Sequence, residues 1–385
     1  MIAYNHAWLK NLLIRQDVDN AFDEGYITKA EQDTIHKKYP VGFYTPNIFI
    51  RIGLFILTLI IMLFSFGLMV MVFLSSVERV LGGLSIFFAI VAYLLLEYMV
   101  KTKKHYRSGV DDALLWGSAF ALFAGISFPN SFSDLTNWII IFIITLYGSL
   151  RFADRLMAVA ADISLLGILF YACVECGSTV KAIAPFILMG ASMIIYFGVK
   201  KLKLQETTLH YLGCLEMISI TSLISFYAAG NYYVVRELSN SMFHLNLQPG
   251  ASIPFGWLFW LFTIITPIIY ISRGIHKKDA VMIRVGLLLV VAIVFTIRYY
   301  HSILPIETMM TFGGIILLTV GYILMKYLHE PKYGFTYKQI SKKHALDKLN
   351  IESLVLAETF APGIEHGGTK FGGGSFGGGG TSADY

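Results

Sequence analysis

The chain has 385 residues, 56% of them hydrophobic and only 14% charged, with a formal net charge of +5. A soluble domain carries about 25% charged residues, so this composition cannot cover a water-facing surface and excludes a soluble enzyme or a nucleic-acid-binding domain as the bulk of the protein. Apolar runs near 20 residues recur along the chain, the length needed to cross a hydrocarbon core about 30 Å thick. They are continuous rather than alternating, which predicts helices instead of barrel strands.

In chain order, residues 1–45 read as a cytoplasmic helical hairpin. Trp8, Leu9, Leu12 and Leu13 recur at helical spacing and continue through Val18, Ala21 and Phe22. Gly25 can take the left-handed conformation that ends a helix. Thr28 and Glu31 form a capping-box pattern that opens a second helix, and Pro40 stops it. No signal peptide is visible ahead of this hairpin.

Residues 46–328 read as a transmembrane bundle of about ten spans, at roughly 47–74, 79–100, 111–128, 135–150, 156–176, 182–199, 208–229, 252–272, 279–298 and 304–326. The fold class is therefore all-α, a polytopic transmembrane helix bundle. Pro185 and Pro267 lie within spans and are expected to kink them. The connection from Asn231 to Ala251 is rich in Tyr, Val, Met and Phe, which suits a segment lying along the membrane surface. Residues 329–360 have helix-compatible composition. Residues 361–385 do not: Gly363 to Gly380 holds ten glycines in 18 residues. Such a tail is expected to be disordered, with Phe371 and Phe376 as possible anchors for a protein partner.

Basic residues set the sidedness. Twenty-four of the 30 Lys and Arg fall before the first span, in alternate connections, or after the last span, and four (Arg79, Lys181, Arg236 and Arg298) fall in the opposite connections. Basic loops stay cytoplasmic, so an even number of spans with both termini inside is expected, in a cell inner membrane. Four hairpins also share an outline. In each, a helix ends near a tyrosine (Tyr98, Tyr147, Tyr196, Tyr270), a basic turn follows, and the next helix carries a charge (Asp112, Asp162, Glu216, Arg284). Either duplication or the ordinary pattern of positive-inside hairpins produces this.

The run from Leu13 to Ile35, with Gly25-Tyr26-Ile27-Thr28 followed by Glu31, resembles the N-terminal hairpin of the bacterial membrane proteins called domain of unknown function 2157. The resemblance covers the N-terminal module, under a third of the chain. It implies location and general shape, and no activity. The tail from Phe371 to Gly380 is similar in composition to the glycine-rich ends of bacterial membrane proteins bearing a TPM domain.

No phosphate-cradling glycine loop, dinucleotide fingerprint or zinc-binding helix pair occurs, so no catalytic residue, metal ligand or cofactor is assigned. Cys173 and Cys176 form a C-x-x-C pair that is either redox-active or simply packs in a helix. The stronger constellation is charge inside the spans. Asp162 and Glu216 lie about two turns in from the basic side, with Arg284 shallower and Arg51 shallower still. Ionisable groups at depth seek partners, so these four are expected to share an intramembrane polar site, either structural or used in transport. Glu97, Lys181 and Glu307 lie near span ends and need no special explanation. Partners are then the lipid bilayer and a protein engaged through the hairpin and tail. A scaffold or signalling subunit is the leading role, a transporter or channel the alternative, and an intramembrane enzyme the third.

Overall fold

The computed structural model of this protein describes residues 2–23, 25–73, 77–243, 253, 255–277, 279–300 and 306–327. The predicted segment 329–360 and the tail 361–385, with Phe371 and Phe376, lie outside the described residues. Those described are almost all helical and belong to one compact unit. The helices are α1 (His6–Asp23), α2 (Lys29–Lys38), α3 (Ile48–Val72), α4 (Val77–Lys101), α5 (Val110–Ser127), α6 (Asp134–Phe152), α7 (Arg155–Glu175), α8 (Ser178–Leu202), α9 (Leu212–Gly230), α10 (Tyr232–Phe243), α11 (Gly256–Lys277), α12 (Ala280–Tyr300) and α13 (Ile306–Tyr327). A 3-10 turn, Glu206–Tyr211, leads into α9. Among the described residues, nine helices are long and apolar enough to cross a membrane. The 22-residue α13 occupies the position of the tenth predicted span.

The hairpin forms as its sequence dictates. Gly25 adopts φ 77°. The Thr28 hydroxyl accepts from the Glu31 N–H, and Glu31 Oε2 accepts from the Thr28 N–H at 2.7 Å, closing the capping box. Hydrogen bonds from the Thr28 N–H and hydroxyl hold the Glu31 carboxyl below its ordinary range. Arg15 then ties α1 to the end of α2. Its Nε donates to the Tyr39 carbonyl (2.7 Å) and its Nη2 to that of His36 (2.6 Å), using carbonyls that a helix end leaves without intrahelical partners.

Four consecutive pairs pack most extensively: α4 with α5, α6 with α7, α8 with α9, and α11 with α12. These are the four hairpins of the sequence pattern. Helices in lipid gain no hydrophobic drive from one another, so close backbone approach through small residues holds them. A Cβ added at Gly125 would lie 2.8 Å from the Gly82 carbonyl oxygen and 2.9 Å from the Ile86 nitrogen. At Gly286 it would lie 3.1 Å from the Ile271 nitrogen and 3.2 Å from the Pro267 oxygen. The interior also carries Ser and Thr, whose hydroxyls bond back to their own helices: Ser164 to Ala161, Ser222 to Ile218, Thr263 to Phe259. α3 packs mainly on α5 and turns Ile56, Ile60, Phe64 and Leu68 outward.

Pro185 and Pro267 lie inside α8 and α11, and both helices run on past them. The connection after Asn231 is not only a surface segment. It begins with α10, which buries Tyr232, Val235 and Arg236 against α11 and the Tyr300 ring. Asn231 starts it, donating to Tyr227 and Thr296 (both 3.0 Å), while the Thr263 hydroxyl accepts the Tyr232 N–H.

Candidate functional site

The basic turns converge at one end of the bundle. The Ala3 N–H donates to the Arg151 carbonyl (2.8 Å), Tyr44 bridges to His105, the Tyr211 hydroxyl donates to the Leu150 carbonyl (2.8 Å), and Lys200 reaches Asp279 (3.4 Å). Each contact joins segments that the charge pattern assigns to the same side. The N-terminal segment is sealed into this end. Tyr4 is buried, edge-on to Tyr106 at 4.9 Å and to Phe43 at 5.8 Å. Burial, reinforced by the nearby Asp111 charge, raises its phenol well above the ordinary value.

Beneath Tyr4 lies a cluster of three arginines and three aspartates. It is built by three helix starts. Asn47 caps α3 by accepting the Ile50 N–H (3.0 Å), which places Arg51 in the first turn. The loop before α5 turns through left-handed Lys104, Arg107 and Gly109 (φ 58°, 50° and 92°). Buried Asp111 fixes that loop, accepting from the Arg107 N–H (2.7 Å) and from the N–H and hydroxyl of Ser108 (2.8 and 2.9 Å). Asp112 takes both donors of Arg51 on Oδ2, at 2.9 and 2.6 Å, and so pins α3 to α5. At α7, left-handed Ala153 precedes Asp154, whose Oδ1 caps Met157 (2.7 Å). Burial pushes the Asp154 carboxyl above its ordinary range, against the Met157 N–H, Arg107 and Arg51. Arg155 follows, lying across Gly213 of α9, with its Nε buried and, among the described residues, without a hydrogen-bond partner.

Two clefts meet here. One, of about 450 Å³, runs under the hairpin past Arg15, Asp19, His36, Arg51 and Arg107. The other, of about 520 Å³, lies between α3 and the start of α7, with Arg51, Arg107, Arg155, Asp112 and Asp154 at its polar end and Ile52, Phe55, Trp116, Leu156 and Met217 along its sides. Arginine stays charged at any working pH and offers a planar fork that matches phosphate or carboxylate. The carboxylates are largely committed to Arg51 and to backbone donors, so this arrangement is equipped for recognition.

A second network sits nearby. Glu97 on α4 receives the Tyr93 hydroxyl (2.8 Å), Arg151 Nε (3.0 Å) and Lys101 Nζ (2.6 Å), and Tyr93 meets the Tyr147 hydroxyl at 2.6 Å. An apolar groove of about 410 Å³ between α4, α5 and α6 ends at these tyrosines. Further round, Asp279 caps α12 and accepts from Tyr196 (3.0 Å) and Lys200 (3.4 Å). Burial alone would raise the Asp279 carboxyl, but the Met282 N–H, Tyr196 and Lys200 hold it below its ordinary range.

The expected four-residue site does not assemble among the described residues. Asp162 is buried on α7 and, among the described residues, meets only the Ser222 hydroxyl of α9, at 3.4 Å. Glu216 and Arg284 are exposed on α9 and α12. Glu216 lies close enough for its charge to act on Arg155 and Lys203. Arg51 pairs with Asp112 instead. Equal depth does not imply a shared face, because each residue turns a helix by about 100°. Asp162 lines none of the clefts described above, nor the two smaller ones beside Tyr4 and under α10. Glu97, which the sequence reading did not single out, is the hub of a network. Its signal was the Tyr93/Glu97/Lys101 spacing on one helix face. Cys173 is buried, Cys176 is exposed, and both are free thiols. Among the described residues no group of three or more His, Cys, Asp or Glu is placed to hold a metal ion. Comparison of the chain with family models, with curated proteins and with solved structures finds no match.

Proposed function

We propose that the chain is a non-enzymatic scaffold or signalling subunit of a complex in a bacterial inner membrane. It resembles the domain of unknown function 2157 proteins in its hairpin, and both termini lie in the cytoplasm. The observation that carries this reading is the anchored hairpin. Ala3 and Tyr4 lock the N-terminus into the basic end of the bundle, while Tyr26 at the hairpin tip is 78% exposed. A rigidly mounted module with an apolar residue at its tip suits a docking partner better than a gate. The transporter alternative requires water to reach Asp162, and that carboxylate is enclosed among packed helices.

Sidedness is tested by cysteine labelling in intact cells. A probe at Ser131 or Asn240 should react from outside, and one at Lys103 or Lys277 should not; the reverse pattern would invert the topology. The role is tested by purifying the full chain from native membranes with and without Tyr26→Asp. The wild type should carry a stoichiometric protein partner that the variant loses. If both carry the same proteins, the hairpin tip is not the docking point. Ion flux in proteoliposomes that Asp162→Asn abolishes would select the transporter instead.

A further inference from the structure

The cleft between α3 and the start of α7 combines features that a protein partner or a dry core would not need together. Its sides are apolar, and Ile52 and Leu156 at its mouth are more than half exposed. Its polar end holds Arg107, which makes no ion pair among the described residues, and Arg155, whose buried Nε has no hydrogen-bond partner. A buried donor without a partner is unfavourable, so a ligand acceptor within reach of this guanidinium is favoured. The opposing carboxylates are engaged: Asp112 by Arg51, Asp111 by Ser108 and the Arg107 N–H, Asp154 Oδ1 by the Met157 N–H. Glu216 acts on Arg155 from outside the cleft lining. Arg155 opens α7 and Arg107 lies in the loop just before α5, both helices long and apolar enough to cross a membrane, so in a bilayer the pair would sit at headgroup level, with the apolar sides continuing along α3 and α5.

We propose that this cleft binds an anionic phospholipid, its phosphate held by Arg107 and Arg155 and an acyl chain lying against Phe55, Trp116 and Leu156. Paired guanidinium groups recognise phosphate in a geometry that a lysine-rich surface does not reproduce. The site is independent of whether the whole protein acts as a scaffold or a transporter.

The test uses the full chain, delipidated in detergent, and titrates back phosphatidylglycerol or phosphatidylcholine, reading the bound adduct by native mass spectrometry and the melting temperature by intrinsic fluorescence. Phosphatidylglycerol should bind at least tenfold more tightly than phosphatidylcholine and raise the melting temperature. Arg107→Gln with Arg155→Gln should remove that preference, whereas Arg273→Gln, elsewhere on the basic side, should keep it. Leu156→Trp, which leaves every charge in place, should weaken phosphatidylglycerol binding by obstructing the mouth, and it keeps the test decisive if the arginine variants fold poorly. Equal binding of the two lipids would overturn the proposal, as would unchanged binding in the Leu156 variant. Full competition by millimolar inorganic phosphate would assign the arginines to a free anion and overturn the lipid assignment.

Discussion

Replacing Gly109 with alanine should destabilise the protein by roughly 4 kcal/mol, the sum of backbone strain of about 1–3 kcal/mol and overpacking of similar size. Gly109 adopts φ 92° and ψ −38°, a conformation that side-chain-bearing residues rarely enter. An added Cβ would overlap the Arg51 carbonyl oxygen and come within 2.9 Å of the Phe55 nitrogen. Both are backbone atoms of α3 and cannot swing aside as a side chain could. The α3–α5 contact must therefore open, and the Arg51–Asp112 pair opens with it. Gly53, one turn into the same helix, is the control. Nothing lies within 4 Å of its Cβ position, so Gly53→Ala should be neutral or stabilise by about 0.5–1 kcal/mol through helix propensity. Thermal unfolding in detergent compares the two; equal melting temperatures would show that α3 is not seated on the Gly109 loop.

The helices themselves were legible because lipid leaves few options. Apolar runs near 20 residues, the Thr28/Glu31 capping box and Gly25 each specify a local conformation without help from distant residues, and the helices observed over Ile48–Val72 and Ala280–Tyr300 lie close to their predicted spans. Azimuth was not legible. Asp162 and Glu216 were matched in depth, yet one points among α7 and α9 and the other points outward. Long-range pairings were hidden too: Arg51 finds Asp112 sixty-one residues away, and Glu97 finds Arg151 across fifty-four. Nothing in either local sequence fixes such a partner, because the choice depends on how hairpins pack side by side. The start of α10 was missed because it combines a surface-like composition with three residues that turn inward.

Acidic side chains recur at the helix starts. Asp111, Asp154 and Asp279 each cap a helix start, or fix the loop before one, at the basic end. Each acidic group sits where a helix dipole and free N–H groups favour negative charge, and basic residues of neighbouring turns surround it. One device thus serves three turns: it starts the returning helix, and it places an anion among the basic residues of those turns. This end is consequently stitched by ion pairs and caps, whereas the helix crossings deeper in rely on Gly82, Gly125 and Gly286.

The Glu97–Arg151 pair should carry the strongest coupling in that stitching. Glu97 is 13% exposed and Arg151 23%. Arg151 joins α6 to α4, while its carbonyl accepts the Ala3 N–H and so secures the N-terminus as well. Breaking a fully buried pair costs about 3–5 kcal/mol, and exposed pairs contribute about 0–1; partial burial puts Arg151→Met near 2 kcal/mol. Glu97→Leu should cost less, because a freed arginine can extend its head toward water while a freed glutamate is too short to do so. Lys101, 58% exposed although 2.6 Å from Glu97, should lose no more than about 0.5 kcal/mol on replacement by methionine. The double variant, Glu97→Leu with Arg151→Met, should be less destabilised than the sum of the single losses by about 1–2 kcal/mol, the range found for residues in one network. Unfolding of all four variants in the same detergent measures this cycle. Strict additivity, or a Lys101 effect as large as that of Arg151, would mean that the hairpins are held by packing alone and that Glu97 is merely solvated at the membrane edge.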